Sequence, residues 1–340
     1  MRRLPLALLA ALAAGFSPLR AWDTQGHRIV NQLALRSLPA DFPSFVREPA
    51  NAERIAFLSG EPDRWRNSQV LSLQHAGKLE HYIDLELLAD ASLAGAALSP
   101  FRYEFAAQFA AARAARPDRF PPVDPERDTD RSGGWPGFLP WAIAEDYGRL
   151  KSEFSSLKEF ERAGAREEAD NARANAVYLM GVLGHYVGDG SQPLHTTVHH
   201  HGWTGANPNG YTTRKSIHAW IDGGFIARAG IALAEVEPSV GQARPLDLSP
   251  RGDGQDPFFA DVMDYLWAQN RRVEDLYRIE KAGGFRADGA PPGMEGRAFI
   301  DEQLARGGRM LGSIWLTAWR QAGPDPFLRA QLARRGQPAP

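Results

Sequence analysis

The chain has 340 residues, of which 43% are hydrophobic, and a formal net charge of −2 at pH 7. This length suffices for one large hydrophobic core or two smaller ones, and the charge excludes a broad basic face that would grip duplex phosphates. The sequence contains no cysteine, so disulfides and thiolate metal ligands are excluded. Any zinc must therefore be held by histidine, carboxylate and backbone groups.

The first segment, residues 1–21, has the pattern of a secretory signal peptide. A basic start precedes an apolar run over 4–16, and a small-residue cleavage site ends the segment. The apolar run is too short to span a bilayer. We therefore expect a secreted or periplasmic protein whose mature chain, 22–340, begins at Trp22. Removing the signal takes away three arginines and no acids, so the formal charge changes from −2 to −5.

A first amphipathic helix is predicted from His27 to Leu38, because apolar residues recur there at helical spacing. In a chain that begins at Trp22, the free α-amine lies five residues before His27. Such an amine has a pKa of about 7.7–8.0, so it can lose its proton to a metal near neutral pH. The alternative is that Trp22 is an apolar anchor and that His27 is an ordinary residue of the first helical turn.

Two polar segments follow the first helix. Asp63 and Arg66 come shortly after a glycine and a proline, in a loop or at the start of a helix, where an acid is favourable. Taken alone, an aspartate and an arginine at this spacing form an ordinary solvated salt bridge. The segment 79–85 contains His81, and its alternation of apolar and polar residues does not decide between a strand and a helix.

The most loop-like segment is 117–140, which is rich in proline and glycine. Its acids do not form an EF-hand, because counting the calcium loop from Asp128 places Leu139 where the bidentate acid must be. We expect a solvated acidic loop containing Asp124, Glu126, Asp128 and Asp130. Three aromatic residues near its end either overhang a cleft or, by default, pack in the core: Trp135, Phe138 and Trp141.

The rest of the chain is predicted to be helical, with breaks rich in proline and glycine. The predicted helices cover 86–115 with a break at 99–100, 145–166, 171–187, 217–229, 257–277 and 299–319. Ser216 is the predicted N-cap of the helix over 217–229. Residues from about 325 to 340 are predicted to form a flexible tail. The pattern as a whole predicts an all-α, mainly helical fold in one domain.

The segment 178–197 carries the strongest chemical signal. His185 and Asp189 are four residues apart in an apolar helix, so both side chains leave the same face. Pro193 prevents a simple continuation of that helix, which places His195 in the following turn. A mixture of imidazole and carboxylate ligands suits divalent metals, zinc above all. The alternative is an ordinary hydrogen-bonded helical pair followed by a histidine that caps a turn.

A second histidine–carboxylate pair, His218 and Asp222, repeats the same four-residue spacing. Together with His27, Asp63 and the segment around His81, these motifs account for five of the nine histidines. Their order and spacing resemble those of the S1/P1 nuclease family over most of 22–235. The resemblance implies a phospholipase C/P1 nuclease-like, all-α single domain that binds three Zn²⁺ ions.

The resemblance also implies a role for each matching residue. The first zinc would be held by Asp63, His81, His185 and Asp189. The second would be held by the amine and carbonyl of Trp22, by His27 and by a bridging Asp189. The third would be held by His195, His218 and Asp222. The implied catalytic residues are Asp63, Arg66 and Asp189, with Arg66 facing the reacting phosphate. Tyr82 would stack on a base, and Asp84 would form a hydrogen bond with it.

The implied activity is zinc-dependent endonucleolytic cleavage of single-stranded DNA and RNA to 5′-nucleotides, with 3′-nucleotidase action as a further expectation. Bridged zinc ions lower the pKa of a shared water, and Tyr82 offers a ring to an unstacked base. We expect a monomer without a stable protein partner. The chain departs from the family at Ser191, where histidine is common, and in the loops 117–140 and 198–215, which match nothing in it.

Two other functions compete with the nuclease. Zinc-dependent phospholipase C resembles the chain in the same layout of three metal sites. The short spacing of Trp22 and His27, an aspartate rather than a glutamate at Asp222, and the base pocket at Tyr82 and Asp84 favour the nuclease. The third possibility, a non-catalytic zinc protein, would need closed coordination, whereas an aspartate shared between metals normally leaves positions open for water and substrate.

Overall fold

The computed structural model describes residues 22–94, 98–286 and 292–335. The predicted signal peptide, 1–21, lies outside these residues. The described chain is mainly helical and contains no β-strand, so the predicted all-α class is confirmed. None of the described helices combines the length and the hydropathy that crossing a bilayer requires.

Fifteen α-helices follow one another along the described residues. They are α1 Thr24–Ser37, α2 Pro49–Leu58, α3 Glu61–Arg66, α4 Leu71–Glu80, α5 Leu85–Asp90, α6 Arg102–Ala114, α7 Leu139–Ala163, α8 Arg166–Ser191, α9 Ile217–Ala219, α10 Phe225–Ala229, α11 Leu233–Val236, α12 Pro257–Asn270, α13 Val273–Lys281, α14 Met294–Gln321 and α15 Pro326–Arg334. Short 3₁₀ helices cover Ser44–Arg47, Pro193–Thr196 and Glu237–Ser239, and a π-helical turn covers Trp220–Gly224.

Helix α8 lies at the centre of the fold and packs against α1, α2, α7 and α14. The helices α7 and α8 form a hairpin that turns at Gly164, whose φ of 68° is a left-handed helix-ending conformation. Every residue from Met180 to Ser191 is buried. The C-terminal half of the helix, which carries His185 and Asp189, is therefore enclosed on all sides, and the buried residues continue to Thr197.

Glycines on α8 let the neighbouring helices approach closely. A Cβ on Gly181 would lie 2.4 Å from the Cβ of Leu58 in α2. A Cβ on Gly184 would lie 1.9 Å from Oδ1 of Asn31, and one on Gly188 would lie 2.8 Å from Nδ1 of His27, both in α1. These contacts are closer than real side-chain atoms tolerate, so glycine is required for α1 to bring His27 to the face of α8 that carries Asp189.

The segment 79–85 is neither a continuous helix nor a strand of a sheet. Helix α4 ends at Glu80, and α5 begins at Leu85. Between them, the N–H of Ile83 donates to the carbonyl of His195, and the N–H of Asp84 donates to that of Pro136. The short connection is thus held on two sides by loop backbone, which presents His81 and Tyr82 in fixed positions.

The structure differs in detail from two predictions about local structure. The tail predicted from residue 325 begins with α15, because the Asp325 side chain caps the N–H of Leu328 and the Arg329 guanidinium pairs with Glu159 on α7. Ser216 does stand at the N-cap position of α9, but its side chain makes no capping hydrogen bond.

The aromatic residues at the end of the loop 117–140 belong to the core. Trp141 is fully buried and stacks on Phe105 with a ring-centroid distance of 4.0 Å. Phe138 is also buried, and the partly buried Trp135 packs against the same cluster. The default interpretation of these three residues is therefore confirmed, and none of them overhangs the cleft described below.

Candidate metal centre and cleft

His185 is oriented by a main-chain carbonyl. Its Nδ1 lies 2.6 Å from the carbonyl oxygen of Ser59, which can only accept, so Nδ1 carries the proton. The other nitrogen, Nε2, then presents a lone pair 2.8 Å from Nδ1 of His81 and 3.2 Å from Oδ2 of Asp189. This arrangement, in which one ring nitrogen is fixed by an acceptor and the other faces a cluster, is typical of metal-ligating histidines.

The side chains of His81 and His27 reach the same carboxylate from two sides. Nδ1 of His81, which follows α4, lies 3.0 Å from Oδ2 of Asp189. His27 of α1 stacks on the ring of His185 at 4.0 Å, and its Nε2 lies 3.4 Å from Oδ1 of Asp189. Asp189 therefore faces three imidazoles within 3.4 Å, and its two oxygens point towards different partners.

Asp63 completes this part of the centre from α3. Its carboxylate can share a metal with His27 and His185, and a second group of possible ligands consists of His81, His185 and Asp189. The predicted division into a first and a second zinc site is not visible as two separate groups, because His185 belongs to both. Arg66, one turn after Asp63, donates from Nη2 to Oδ1 of Asp63 at 2.5 Å.

A separate group consists of His195, His218 and Asp222. Nδ1 of His195 donates to the carbonyl of His81 at 2.6 Å, so its Nε2 is the free nitrogen, 2.9 Å from Nε2 of His218. Oδ2 of Asp222 lies 3.0 Å from Nε2 of His218, and its Oδ1 accepts from Gln192 at 2.5 Å. Asp222 sits in the π-helical turn, and this group matches the predicted third site residue for residue.

Buried polar atoms without partners show that these residues fit a metal. Both ring nitrogens of His27, Oδ1 of Asp189 and Oδ2 of Asp222 are buried and form no hydrogen bond. Leaving such groups unpaired in a protein interior costs about 1–3 kcal/mol each. Imidazole nitrogens and carboxylate oxygens are the donors that Zn²⁺ accepts in cysteine-free sites, so coordination would satisfy these atoms.

The protonation states are mostly those that metal binding needs. Burial, together with Arg66, lowers the pKa of His81 to about 3, and burial, together with His200, lowers that of His218 to about 3. Although burial opposes it, the neighbouring His185 and His195 hold the pKa of Asp189 well below its usual range. Burial raises the pKa of Asp222 well above its usual range, so a metal would displace a proton there.

Trp22 is fully buried beside this centre. Its indole Nε1 donates to the carbonyl of Gly188 and to the hydroxyl of Ser191, each at 2.9 Å. The residue that departs from the family pattern, Ser191, is thus the one that fixes the tryptophan. The anchoring role of the side chain is visible, and the role of the amine and carbonyl as metal ligands stays a prediction.

A cleft of about 370 Å³ opens onto some of these candidate metal ligands. It is lined by Arg66, Asn67, Lys78, His81, Tyr82, Asp130, Leu194, His195, His200, His201 and His218. One wall is formed by α3 and α4, and the other by the histidine loop, residues 198–215. Both loops that match nothing in the family therefore reach the cleft, one through Asp130 and the other through His200 and His201.

The two predicted base-binding residues differ in their access to this cleft. Tyr82 lines it, with its ring centroid 6.5 Å from that of His200. Asp84 is buried and is not part of the lining; its Oδ1 lies 3.7 Å from Nδ1 of His200 and accepts no hydrogen bond. Burial and the nearby Glu86 raise the pKa of Asp84 well above its usual range.

No family model, curated protein or solved structure matches this chain. The resemblance to the S1/P1 nucleases rests on the sequence motifs alone.

Several cleft residues were not found from the sequence. The sequence motifs do not single out His200 and His201 within the loop 198–215, nor do they single out Lys78 and Asn67. Asp130 was assigned to a solvated loop, but its carboxylate is bound by the Lys78 ammonium at 2.9 Å and by the hydroxyl of Ser132 at 2.6 Å. A lysine three residues before the candidate ligand His81 is the available signal, because residues at this spacing share a helix face.

Proposed function

We propose that the chain is a zinc-dependent phosphodiesterase of the S1/P1 nuclease type, secreted or periplasmic, that cleaves single-stranded DNA and RNA to 5′-nucleotides. The observation that carries this proposal is Asp189, one buried carboxylate that faces His27, His81 and His185, of which His81 lines the open cleft. A carboxylate shared between metals beside an open cleft favours a catalytic centre over a structural one.

Three zinc ions would be held by the predicted sets, in which Asp63, His81, His185 and Asp189 form the first, Trp22, His27 and Asp189 the second, and His195, His218 and Asp222 the third. Bound zinc lowers the pKa of water, which supplies a hydroxide near neutral pH. The third group lies close to the first, because His195 is hydrogen-bonded to the main chain of His81. The arrangement is suited to one substrate phosphate in contact with all of the ligand sets.

Arg66 is the residue that we propose contacts the phosphate. It lines the cleft, and its side chain is only 15% exposed, so its guanidinium acts in a partly desolvated site. The ion pair with Asp63 fixes its direction. Charge-assisted hydrogen bonds from a fixed guanidinium stabilise negative charge as it builds on phosphate oxygens.

Tyr82 gives the proposed preference for single strands. Its ring faces the cleft, and a base can stack on it only when that base has left its own stack. Asp84 is buried, is absent from the cleft lining and lies 3.7 Å from Nδ1 of His200, so it is less accessible to a base edge. Tyr82 is therefore the stronger of the two assignments.

A specific feature favours the second candidate, zinc-dependent phospholipase C. The side chains of Val70, Leu71 and Leu73 are 42–58% exposed and follow the cleft residue Asn67 closely in sequence. Exposed aliphatic side chains at the rim of a phosphate-binding cleft are suited to a lipid surface. The aromatic residues of the loop 117–140 give no such support, because they are in the core.

The experiment that tests the proposal compares substrates on the zinc-loaded mature chain. Single-stranded DNA, RNA and phosphatidylcholine vesicles are incubated with it, with and without a chelator. We expect chelator-sensitive release of 5′-nucleotides. Release of phosphocholine without nucleotides would replace the nuclease by the phospholipase, and activity that resists the chelator would contradict both.

A further inference from the structure

Two cationic side chains line the cleft in the described part of the chain, Arg66 and Lys78. Arg66 is directed towards the metal centre by its ion pair with Asp63. Lys78 is farther from the reacting position, is 49% exposed, and has its Nζ 2.9 Å from Oδ2 of Asp130. The mechanism proposed above does not use this lysine.

We propose that Lys78 binds a second phosphate of the substrate strand, next to the one that is cleaved, and that Asp130 holds the lysine in place when no substrate is bound. This inference rests on the proposed nuclease function and makes it more specific. It assigns the cleft to strands with at least two phosphates rather than to mononucleotides.

The position of Lys78 on α4 supports this role. It precedes His81 by three residues, so the two are neighbours at one end of the helix, with Cβ atoms about 5–6 Å apart. The lysine stem is long and flexible, and the side chain is half exposed. Lys78 can therefore reach an anionic oxygen one nucleotide away from a phosphate held at His81 and Arg66.

The partner of Lys78 is fixed more firmly than the lysine itself. Oδ1 of Asp130 accepts from both the N–H and the hydroxyl of Ser132, and the Asp130 carbonyl lies 2.8 Å from Nδ1 of His75. The Asp130 side chain is only 13% exposed. The Asp130 carboxylate marks a point in the cleft where an anionic oxygen is bound. The Lys78 side chain can turn from this carboxylate to a phosphate, because exposed ion pairs are weak and exchangeable.

The competing explanation is that the pair only fastens the loop 117–140 to α4. The two explanations differ in what Asp130→Asn does. If the pair is a fastener, Lys78→Ala and Asp130→Asn remove the same interaction and have the same effect. If Lys78 binds phosphate, the first variant loses a contact with the substrate, whereas the second releases the lysine to make it.

The test is binding of a fluorescent phosphorothioate oligothymidylate to the full mature, zinc-loaded chain, followed by anisotropy over a range of salt concentrations. Electrophoresis after each titration confirms that the probe is intact. Lys78→Ala is expected to weaken binding about 10-fold and to reduce the slope of log K against log salt by about 0.7–1, as for one lost phosphate contact. Asp130→Asn is expected to bind as tightly as the natural protein or up to about 3-fold more tightly.

Lys151→Ala is the matched control, because Lys151 lies on α7 and does not line the cleft. It should leave both the affinity and the salt slope unchanged. Equal losses in Lys78→Ala and Asp130→Asn, an unchanged slope in Lys78→Ala, or no binding by the natural protein would overturn the inference.

Hydrolysis is measured separately, so that the two proposals fail independently. A protein that binds the oligonucleotide through Lys78 but releases no nucleotides from DNA or RNA would refute the nuclease and keep the second phosphate contact. Release of nucleotides, together with oligonucleotide binding that Lys78→Ala does not weaken, would support the nuclease and refute the second phosphate contact.

Discussion

At the scale of single residues, the candidate centre depends on Asp189. It is fully buried, yet the imidazoles around it keep its carboxyl in the ionised form. A buried carboxylate is stable only when it is paired, and here three histidines from α1, α8 and the end of α4 supply the partners. His185 and Asp189 were predictable as a pair from their spacing, whereas the approach of His27 requires the tertiary fold.

Tyr82 provides the residue-scale prediction that separates base binding from metal binding. Tyr82→Ala should reduce kcat/KM on single-stranded DNA and RNA by about 10–100-fold, since a stacked base contributes about 1–3 kcal/mol. Zinc content, measured by elemental analysis, should be retained, because the Tyr82 side chain is in none of the ligand groups.

Tyr82→Phe is the matched control for this prediction, because it keeps the ring and removes only the hydroxyl. It should retain most of the activity on both substrates. Equal activity of the alanine variant and the natural protein on RNA and single-stranded DNA would remove Tyr82 from the proposed base pocket.

At the scale of elements, the packing of α8 against α1 places the histidines. The glycines at 181, 184 and 188 follow helical spacing on α8, and each faces a side chain or the main chain of α1 or α2. The sequence contains this stripe but does not reveal its role, because glycine in a helix also occurs without any packing role. Only the distances to Leu58, Asn31 and His27 show that it sets the separation of the helices.

Gly184→Ala tests this packing. Its Cβ would lie 1.9 Å from Oδ1 of Asn31, whose amide bonds the carbonyls of Ile55 and Gly181. Because the amide cannot move without losing these bonds, we expect destabilisation of at least about 1–3 kcal/mol, measured by urea unfolding.

Gly148→Ala on α7 is the control, since nothing lies within 4 Å of its added Cβ. It should stabilise the protein by about 0.5–1 kcal/mol, and equal effects of the two substitutions would contradict the packing argument.

The docking of α15 gives a prediction about pH. Glu159 on α7 accepts hydrogen bonds from Arg329 of α15 and from Arg162. The hydrogen bond from Arg329 lowers the pKa of Glu159 from 4.5 to about 2. Burial opposes this change, and the hydrogen bond from Arg162 adds to it. A lowered carboxyl pKa stabilises the docked state fully above the unfolded pKa of about 4.5, and this stabilisation is lost as the pH falls towards 2.

Hydrogen exchange of the α15 amides should therefore show weaker protection at pH 3 than at pH 6, after correction for the intrinsic exchange rate. Glu159→Gln should show the weaker protection at both pH values. Glu167→Gln, at an exposed position on α8, serves as the control and should behave like the natural protein. Protection of α15 in Glu159→Gln equal to that in the natural protein would show that Leu332 and the N-cap at Asp325 dock the helix without the ion pair.

At the scale of the whole molecule, sequence and structure agree where the information is local. Helix α1, the helices α7 and α8, and the pair His218 and Asp222 follow from periodicity over a few turns, and the structure contains them. Features that depend on distant contacts were not predictable. The helix α15 needs Glu159, and the place of Lys78 in the cleft needs Asp130 from a loop more than 50 residues later in the chain.

The interpretation of the first residues as a removable signal leads to the last prediction, which concerns the start of the mature chain. The Trp22 side chain is already fixed by Gly188 and Ser191, next to the group formed by His27, Asp63 and His185. One extra residue before Trp22 turns its amine into an amide, which has no lone pair for a metal, without displacing the indole. We therefore expect a chain that begins at Ala21 to bind one zinc fewer than a chain that begins at Trp22, and to lose most of its hydrolytic activity.

Ser191→Ala, in a chain that begins at Trp22, removes one indole hydrogen bond and should lower stability by about 1 kcal/mol while zinc content stays the same. Equal zinc content and activity in the chains that begin at Ala21 and at Trp22 would mean that Trp22 serves the fold by packing alone.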